Sequence, residues 1–205
     1  MIKFIYFDVG GVVIRDFSAT NKWAELRRSI GIKPEQDNEF EEFFDKYESE
    51  VCVGRDIESL VPMLADKFGL ELADNYSFLN DFVDRFEVNQ PIWPVLEKIK
   101  QKYKVGLLTN QYPGMLDAII KKGLMPPVYW NVVVDSSVEG IRKPQKEMFE
   151  FAQKKVGFHP NEILFVENSK KHVEAAKLFG WQTFLYDSSD TDKASADLLN
   201  ELGLN

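Results

Sequence analysis

Five short apolar runs recur along the chain with polar or Gly/Pro punctuation on either side. Ile2–Phe7 is apolar but for Lys3, and it stops at Asp8 and the Gly10–Gly11 turn. Lys104–Leu108, Asn131–Val134, Ile163–Val166 and Thr183–Tyr186 are similar runs, β-branched or aromatic, of the kind buried parallel strands use. Helical patterns separate them. Trp93–Lys102 places Val95, Leu96 and Ile99 on one face. Gln145–Val156 does so with Met148, Phe149 and Ala152, and His172–Phe179 with Val173, Ala176 and Phe179. Gly180 stands where a helix C-terminal glycine belongs, and Lys193–Leu202 predicts a terminal helix. Strand and helix alternating over short connections predict an α/β fold, a doubly wound parallel sheet covered by helices on both faces.

Residues 16–90 break the alternation. Lys22–Ser29, Glu39–Glu50, Ile57–Phe68 and Tyr76–Phe86 are amphipathic, with no strand pattern between them. A helical block after the first strand of a parallel sheet predicts an inserted α-helical cap at 16–90 on a core made of 1–15 and 91–205. Its two connections should lie near Arg15–Phe17 and Val88–Pro91, the second stiffened at its core end by Pro91 and Pro94.

Composition narrows the class. The 205 residues are 44% hydrophobic and 13% aromatic, enough to offset the entropy of ordering, which excludes low-complexity disorder. No apolar run approaches the roughly 18 residues of a membrane helix, and Met1 leads into a strand-like run rather than a signal peptide. Cys52 is the single cysteine, so no internal disulfide can form; a reduced, cytoplasmic setting is expected, with Cys52 a small buried hydrophobe. The net charge of −8 argues against a nucleic-acid or membrane-surface partner. The charge is concentrated: 16–90 holds 18 acidic and 8 basic side chains, whereas the remainder holds 15 and 17.

Ligands of an open parallel sheet bind beyond the carboxyl ends of its strands. The first strand ends in Asp8, the second in Thr109 and Asn110, and the fourth in Glu167, Asn168 and Ser169; Arg142, Lys143 and Pro144 follow the third. Each alone is an ordinary turn or cap. Together they bring a carboxylate, a hydroxyl, a lysine and a second polar cluster to one edge.

With these residues in order, the sequence resembles the haloacid dehalogenase-like hydrolases, the aspartate-nucleophile phosphatases, mutases and dehalogenases. Phe7-Asp8-Val9-Gly10-Gly11-Val12-Val13 is similar to the family's first motif and Leu107-Leu108-Thr109-Asn110 to its second. Gly140-Ile141-Arg142-Lys143-Pro144 with Met148-Phe149 is similar to the third, and Ile163–Ser169 with Val173–Lys177 and Gly180-Trp181 to the fourth. The resemblance implies a Rossmann-like core with a small cap, and hydrolysis of a small phosphorylated metabolite. Asp8 would be the nucleophile, Thr109, Asn110 and Lys143 would hold the phosphoryl group, and Mg²⁺ would bind Asp8, the Gly10 carbonyl, Glu167 and Asn168. Two positions depart from the pattern. Gly10 stands where phosphatases of the family carry a second acid, and Asn168 where they commonly carry a metal-binding aspartate, so Mg²⁺ is expected to bind weakly. The departures keep two alternatives open: a metal-free dehalogenase-like hydrolase, and a catalytically weak or inactive member that binds a ligand. Arg55, between two cap helices, is either a substrate-anion contact or a surface arginine.

Overall fold

The computed structural model describes residues 1–204. In chain order the elements are β1 (Phe4–Phe7), β2 (Ile14–Arg15), α1 (Lys22–Ser29), α2 (Asp37–Val51), α3 (Val61–Phe68), α4 (Phe78–Asp84), β3 (Glu87–Val88), α5 (Ile92–Ile99), β4 (Lys104–Thr109), α6 (Met115–Lys121), β5 (Val132–Asp135), α7 (Ser136–Glu139), α8 (Lys146–Val156), β6 (Ile163–Glu167), α9 (Lys170–Phe179), β7 (Gln182–Leu185) and α10 (Thr191–Glu201). The main sheet has the order β5-β4-β1-β6-β7, every neighbouring pair parallel. The chain leaves β1 towards β4 and β5, then crosses back to place β6 on the other side of β1. That reversal opens the crevice at the carboxyl ends of β1 and β6.

The period-2 alternation of β1 divides the apolar interior. Phe4 and Tyr6 pack with Met148, Phe149 and Ala152 of α8, Ala176 of α9 and Trp181. Tyr6 stacks on Trp181 at 5.6 Å between ring centroids, and its hydroxyl donates to the Ala152 carbonyl at 2.8 Å. Ile5 and Phe7 face the other way, against Val95 and Ile99 of α5 and Leu198 of α10. That second cluster continues without a break into Phe40, Phe44, Phe78 and Phe82 of the inserted helices.

No strand of the main sheet falls between 16 and 90 among the described residues. Ile57–Phe68, expected as one helix, divides into a 3-10 turn at Ile57–Leu60 and α3, with proline in the first turn of α3. Proline lacks the N–H a continuous helix would need there but suits a helix start. The connections into this block are more ordered than expected. Ile14 pairs with Val88 and Arg15 with Glu87, giving a two-residue antiparallel ribbon at the stem. Helices α6 and α7 leave no clear pattern in the sequence; at seven and four residues they are too short for periodicity to stand out.

Candidate active site

All four residues of β1 and all five of β6 are buried, so side chains capable of chemistry begin where the strands end. Phe7 pairs with Val166, and the Asp8 N–H donates to the Val166 carbonyl at 3.0 Å, which brings Asp8 beside Glu167 at one level of the sheet edge. Lys143 comes to the same point from the loop between α7 and α8. Asn110, at the end of β4, fixes it: the Asn110 amide nitrogen donates to the Lys143 carbonyl at 2.9 Å, and its oxygen accepts from the Lys143 N–H at 2.8 Å. The lysine side chain is fully buried, and Nζ lies 2.9 Å from Asp8 Oδ1 and 2.7 Å from Glu167 Oε2.

Two buried carboxylates therefore share one ammonium. Burial, followed by the Glu167 charge, pushes Asp8 up to about 7 against the opposing pull of Lys143. Burial would also raise Glu167, but Lys143 and His172 reverse this and hold it at about 2. His172 Nδ1 lies 3.2 Å from Glu167 Oε2, and the Ser169 N–H donates to Glu167 Oε1 at 2.9 Å. With both oxygens engaged, Glu167 is the partner of Lys143 in this geometry rather than the oxygen donor for a cation anticipated from the sequence.

The turn after Asp8 shapes the mouth of the crevice. Val9 N–H donates to Asp8 Oδ1 at 2.8 Å. Gly11 has φ of +72°, and a Cβ there would collide with the Asn168 amide nitrogen, so both conformation and space require glycine. That amide nitrogen donates to Ser18 Oγ at 3.0 Å, and Ser188 Oγ donates to the Gly11 carbonyl at 2.7 Å. Asp16 leans over Gly10, with Oδ2 in the space a Cβ on Gly10 would take.

Above this floor lies a cavity of about 480 Å³, lined by Asp8, Gly10, Lys143, Glu167, Asn168 and His172 below, and by Phe17, Trp23, Phe44, Phe82, Asp45 and Glu48 from the 16–90 block. Cys52 lines it too, 3% exposed, its thiol pushed up to about 12 by burial and then by Glu48. It is a packed side chain and no thiolate nucleophile. Arg55 lies elsewhere: Nη1 is 2.6 Å from Glu50 Oε2 and the guanidinium sits over the Tyr47 ring, so it is a surface arginine. Arg142 faces Glu48 at 3.9 Å. Thr109 is fully buried beneath the cavity lining, and its hydroxyl accepts from Gln111 Nε2 at 3.0 Å. The Asn110 side chain, expected near a phosphoryl group, is occupied with the Lys143 main chain.

A Mg²⁺ ion takes one or two carboxylates and completes its octahedron with waters and phosphate oxygens. Val9 N–H and Lys143 Nζ both engage Asp8 through Oδ1. The Asn168 amide nitrogen is turned to Ser18, leaving its oxygen as the free donor atom. Among the described residues no group of three or more His, Cys, Asp or Glu side chains could hold a metal. Asp8, Asn168 and the Gly10 carbonyl thus fit magnesium as a water-rich site with a single carboxylate.

The doubly wound parallel sheet thus carries a buried carboxylate–lysine–carboxylate cluster at its switch point. The family model of the haloacid dehalogenase-like hydrolases matches residues 2–180, and the chain belongs to that family. It is 30% identical over 123 residues to (S)-2-haloacid dehalogenase 4A of Burkholderia cepacia; the match covers 58% of this chain and half the length of that enzyme. Among solved structures, an HAD family enzyme of Bacteroides thetaiotaomicron in complex with magnesium and inorganic phosphate superposes with a TM-score of 0.75 at 20% identity, covering 92% of this chain and 96% of that one. L-2-haloacid dehalogenase of Xanthobacter autotrophicus does so with a TM-score of 0.64 at 22% identity, covering 91% and 78%.

Asp16 and His172 stand outside the motifs visible in the sequence. His172 lies in the first turn of α9, five residues after Glu167, where the sequence shows only a helical pattern. Asp16 opens the 16–90 block with no motif around it. Only the fold of the turn brings it over Gly10.

Proposed function

We propose that the protein is a Mg²⁺-dependent phosphoric monoester hydrolase acting on a small phosphorylated metabolite through an aspartyl-phosphate on Asp8. The observation that supports this most is Lys143: a fully buried ammonium held between Asp8 and Glu167, directly beneath a cavity of metabolite size. Asp8 attacks phosphorus and displaces the alcohol; water then attacks the acyl phosphate, releases phosphate and restores the carboxylate. Lys143 offsets negative charge on Asp8 and on the transferring group, at a position that Asn110, Glu167 and His172 fix before the substrate arrives. Thr109, on the strand beside β1, is fully buried and bonded to Gln111, so it supports the cavity floor rather than touching the phosphoryl group. Asp8, Asn168 and the Gly10 carbonyl would hold magnesium, which supplies neutralising charge to the phosphoryl group when bound. The helical cap at 16–90 closes over the reaction and selects the leaving group with its aromatic wall.

A dehalogenase-like reaction, in which Asp8 displaces halide from carbon, is favoured by one observation: Asn168 and Gly10 leave the metal site with a single carboxylate. The two readings separate in one assay. The wild type with Mg²⁺ should hydrolyse 4-nitrophenyl phosphate and leave 2-chloropropionate untouched, and Asp8→Asn should lose at least about 10³-fold in turnover. Halide release that survives a chelator, without phosphatase activity, would replace the phosphatase reading with the dehalogenase one.

A further inference from the structure

Ester cleavage at phosphorus requires a proton for the departing oxygen, and the second step requires a base for the attacking water. Neither buried carboxylate of the cluster is available for this. Asp8 is the nucleophile, and Glu167 is fully buried and bonded through both oxygens. Gly10, two residues from Asp8, has no side chain. The remaining carboxylates of the cavity differ in availability. Glu41 is engaged by Trp23 and Arg27, Glu48 faces Arg142, and Asp45 is exposed on α2.

Asp16 is different. Its Oδ1 accepts from the Ser18 N–H at 2.8 Å, which fixes the carboxylate plane. Its Oδ2 occupies the volume that a side chain at position 10 would fill, and the residue lines the same cavity as Asp8 and Lys143. Gly10 lies outside the left-handed region, so its backbone would admit another residue; the obstacle to a side chain there is the Asp16 carboxylate.

We propose that Asp16 is the general acid and base of the reaction, a carboxylate delivered into the space above Gly10 from the stem of the helical block. In the first step the Asp8 oxygen–phosphorus bond forms and the phosphorus–ester oxygen bond breaks. The departing oxygen keeps the electron pair and takes the proton from Asp16 Oδ2. In the second step a water oxygen bonds to phosphorus and gives its proton to the Asp16 carboxylate, while the acyl oxygen–phosphorus bond returns its pair to Asp8. Because Asp16 follows β2 immediately, its position depends on the ribbon that joins the block to the core.

This rests on the phosphatase reading, and the test separates the two. Phenyl phosphate and 4-nitrophenyl phosphate have similar shape, but phenol is the poorer leaving group and needs the proton more. In single-turnover measurements Asp16→Asn should slow phosphorylation by phenyl phosphate about 10²-fold or more, and by 4-nitrophenyl phosphate less than about 10-fold. With the nitrophenyl ester in excess it should release one equivalent of nitrophenol in a burst, followed by slow turnover as the phosphoenzyme accumulates. Gly10→Asp in an Asp16→Ala background moves the carboxylate to the other attachment point, and should recover at least about tenfold of the phenyl phosphate rate lost in Asp16→Ala. Equal slowing of both esters, no slowing of either, or a double variant no faster than Asp16→Ala overturns the role of Asp16 while leaving a phosphatase. A wild type that phosphorylates with neither ester overturns the phosphatase reading, and this proposal with it.

Discussion

Fully ionised, Asp8, Lys143 and Glu167 carry one net negative charge among buried side chains, and this sets the cost of the site. Asp8 is raised from an ordinary 3.8 to about 7, so the folded metal-free protein holds a proton there across a range in which the unfolded chain has lost it. Stability from this group is therefore present at low pH and falls as pH rises from about 4 to about 7. Glu167, lowered from 4.5 to about 2, contributes in the opposite sense: its stabilisation is present above 4.5 and is lost as pH falls towards 2. Metal-free Asp8→Asn should accordingly melt about 3 °C or more above wild type at pH 8, with the gap closing at pH 5; an equal or lower melting temperature at pH 8 would count against the raised carboxyl. Asn168 tests the cation side. Asn168→Asp adds a charge beside Asp8 and should lower the Mg²⁺ concentration for half-maximal activity about tenfold, whereas unchanged dependence would remove Asn168 from the donor set. Asp8, Lys143, Glu167 and Asn168 were legible because each follows an apolar run or sits in a recognisable motif. The engagement of Glu167 with Lys143 was not, because a glutamate at a strand end looks alike whether it faces a cation or a lysine.

At the scale of elements, the strands were the most legible, since five buried apolar runs with punctuation leave few alternatives. The β2–β3 ribbon was not: two-residue strands have no periodicity, and their pairing depends on the whole intervening helical block. The ribbon is tied to the core by Asn89, fully buried, whose amide donates to the Val12 carbonyl at 2.6 Å and to the Tyr186 hydroxyl at 3.0 Å. Tyr186 in turn bonds Ser195 Oγ at 2.8 Å on α10. Asn89→Ala leaves the Val12 carbonyl without this partner and should cost about 1–3 kcal/mol in urea unfolding. It should also lower kcat, because Val12 belongs to the turn that carries Gly10 and Gly11. A variant with unchanged stability and kcat would show that the stem is held elsewhere.

For the whole molecule, the apolar cluster that runs from Ile5 and Phe7 through α5 into Phe40 and Phe82 makes the helical block and the sheet partners around one cavity. Among the described residues no helix is long and apolar enough to cross a membrane. The concentration of acidic side chains in 16–90 was legible in the sequence; that Glu48 and Asp45 line the cavity while others pair along the surface was not, since this depends on which helix face meets the sheet. The proposed reaction turns on one bond, between an Asp8 oxygen and phosphorus. Acid-quenching the wild type during turnover of 4-nitrophenyl phosphate, followed by peptide mass analysis, should find one phosphoryl group on Asp8 and none in Asp8→Asn. A phosphoryl group on another residue, or turnover with no phosphorylated peptide in either protein, would contradict it.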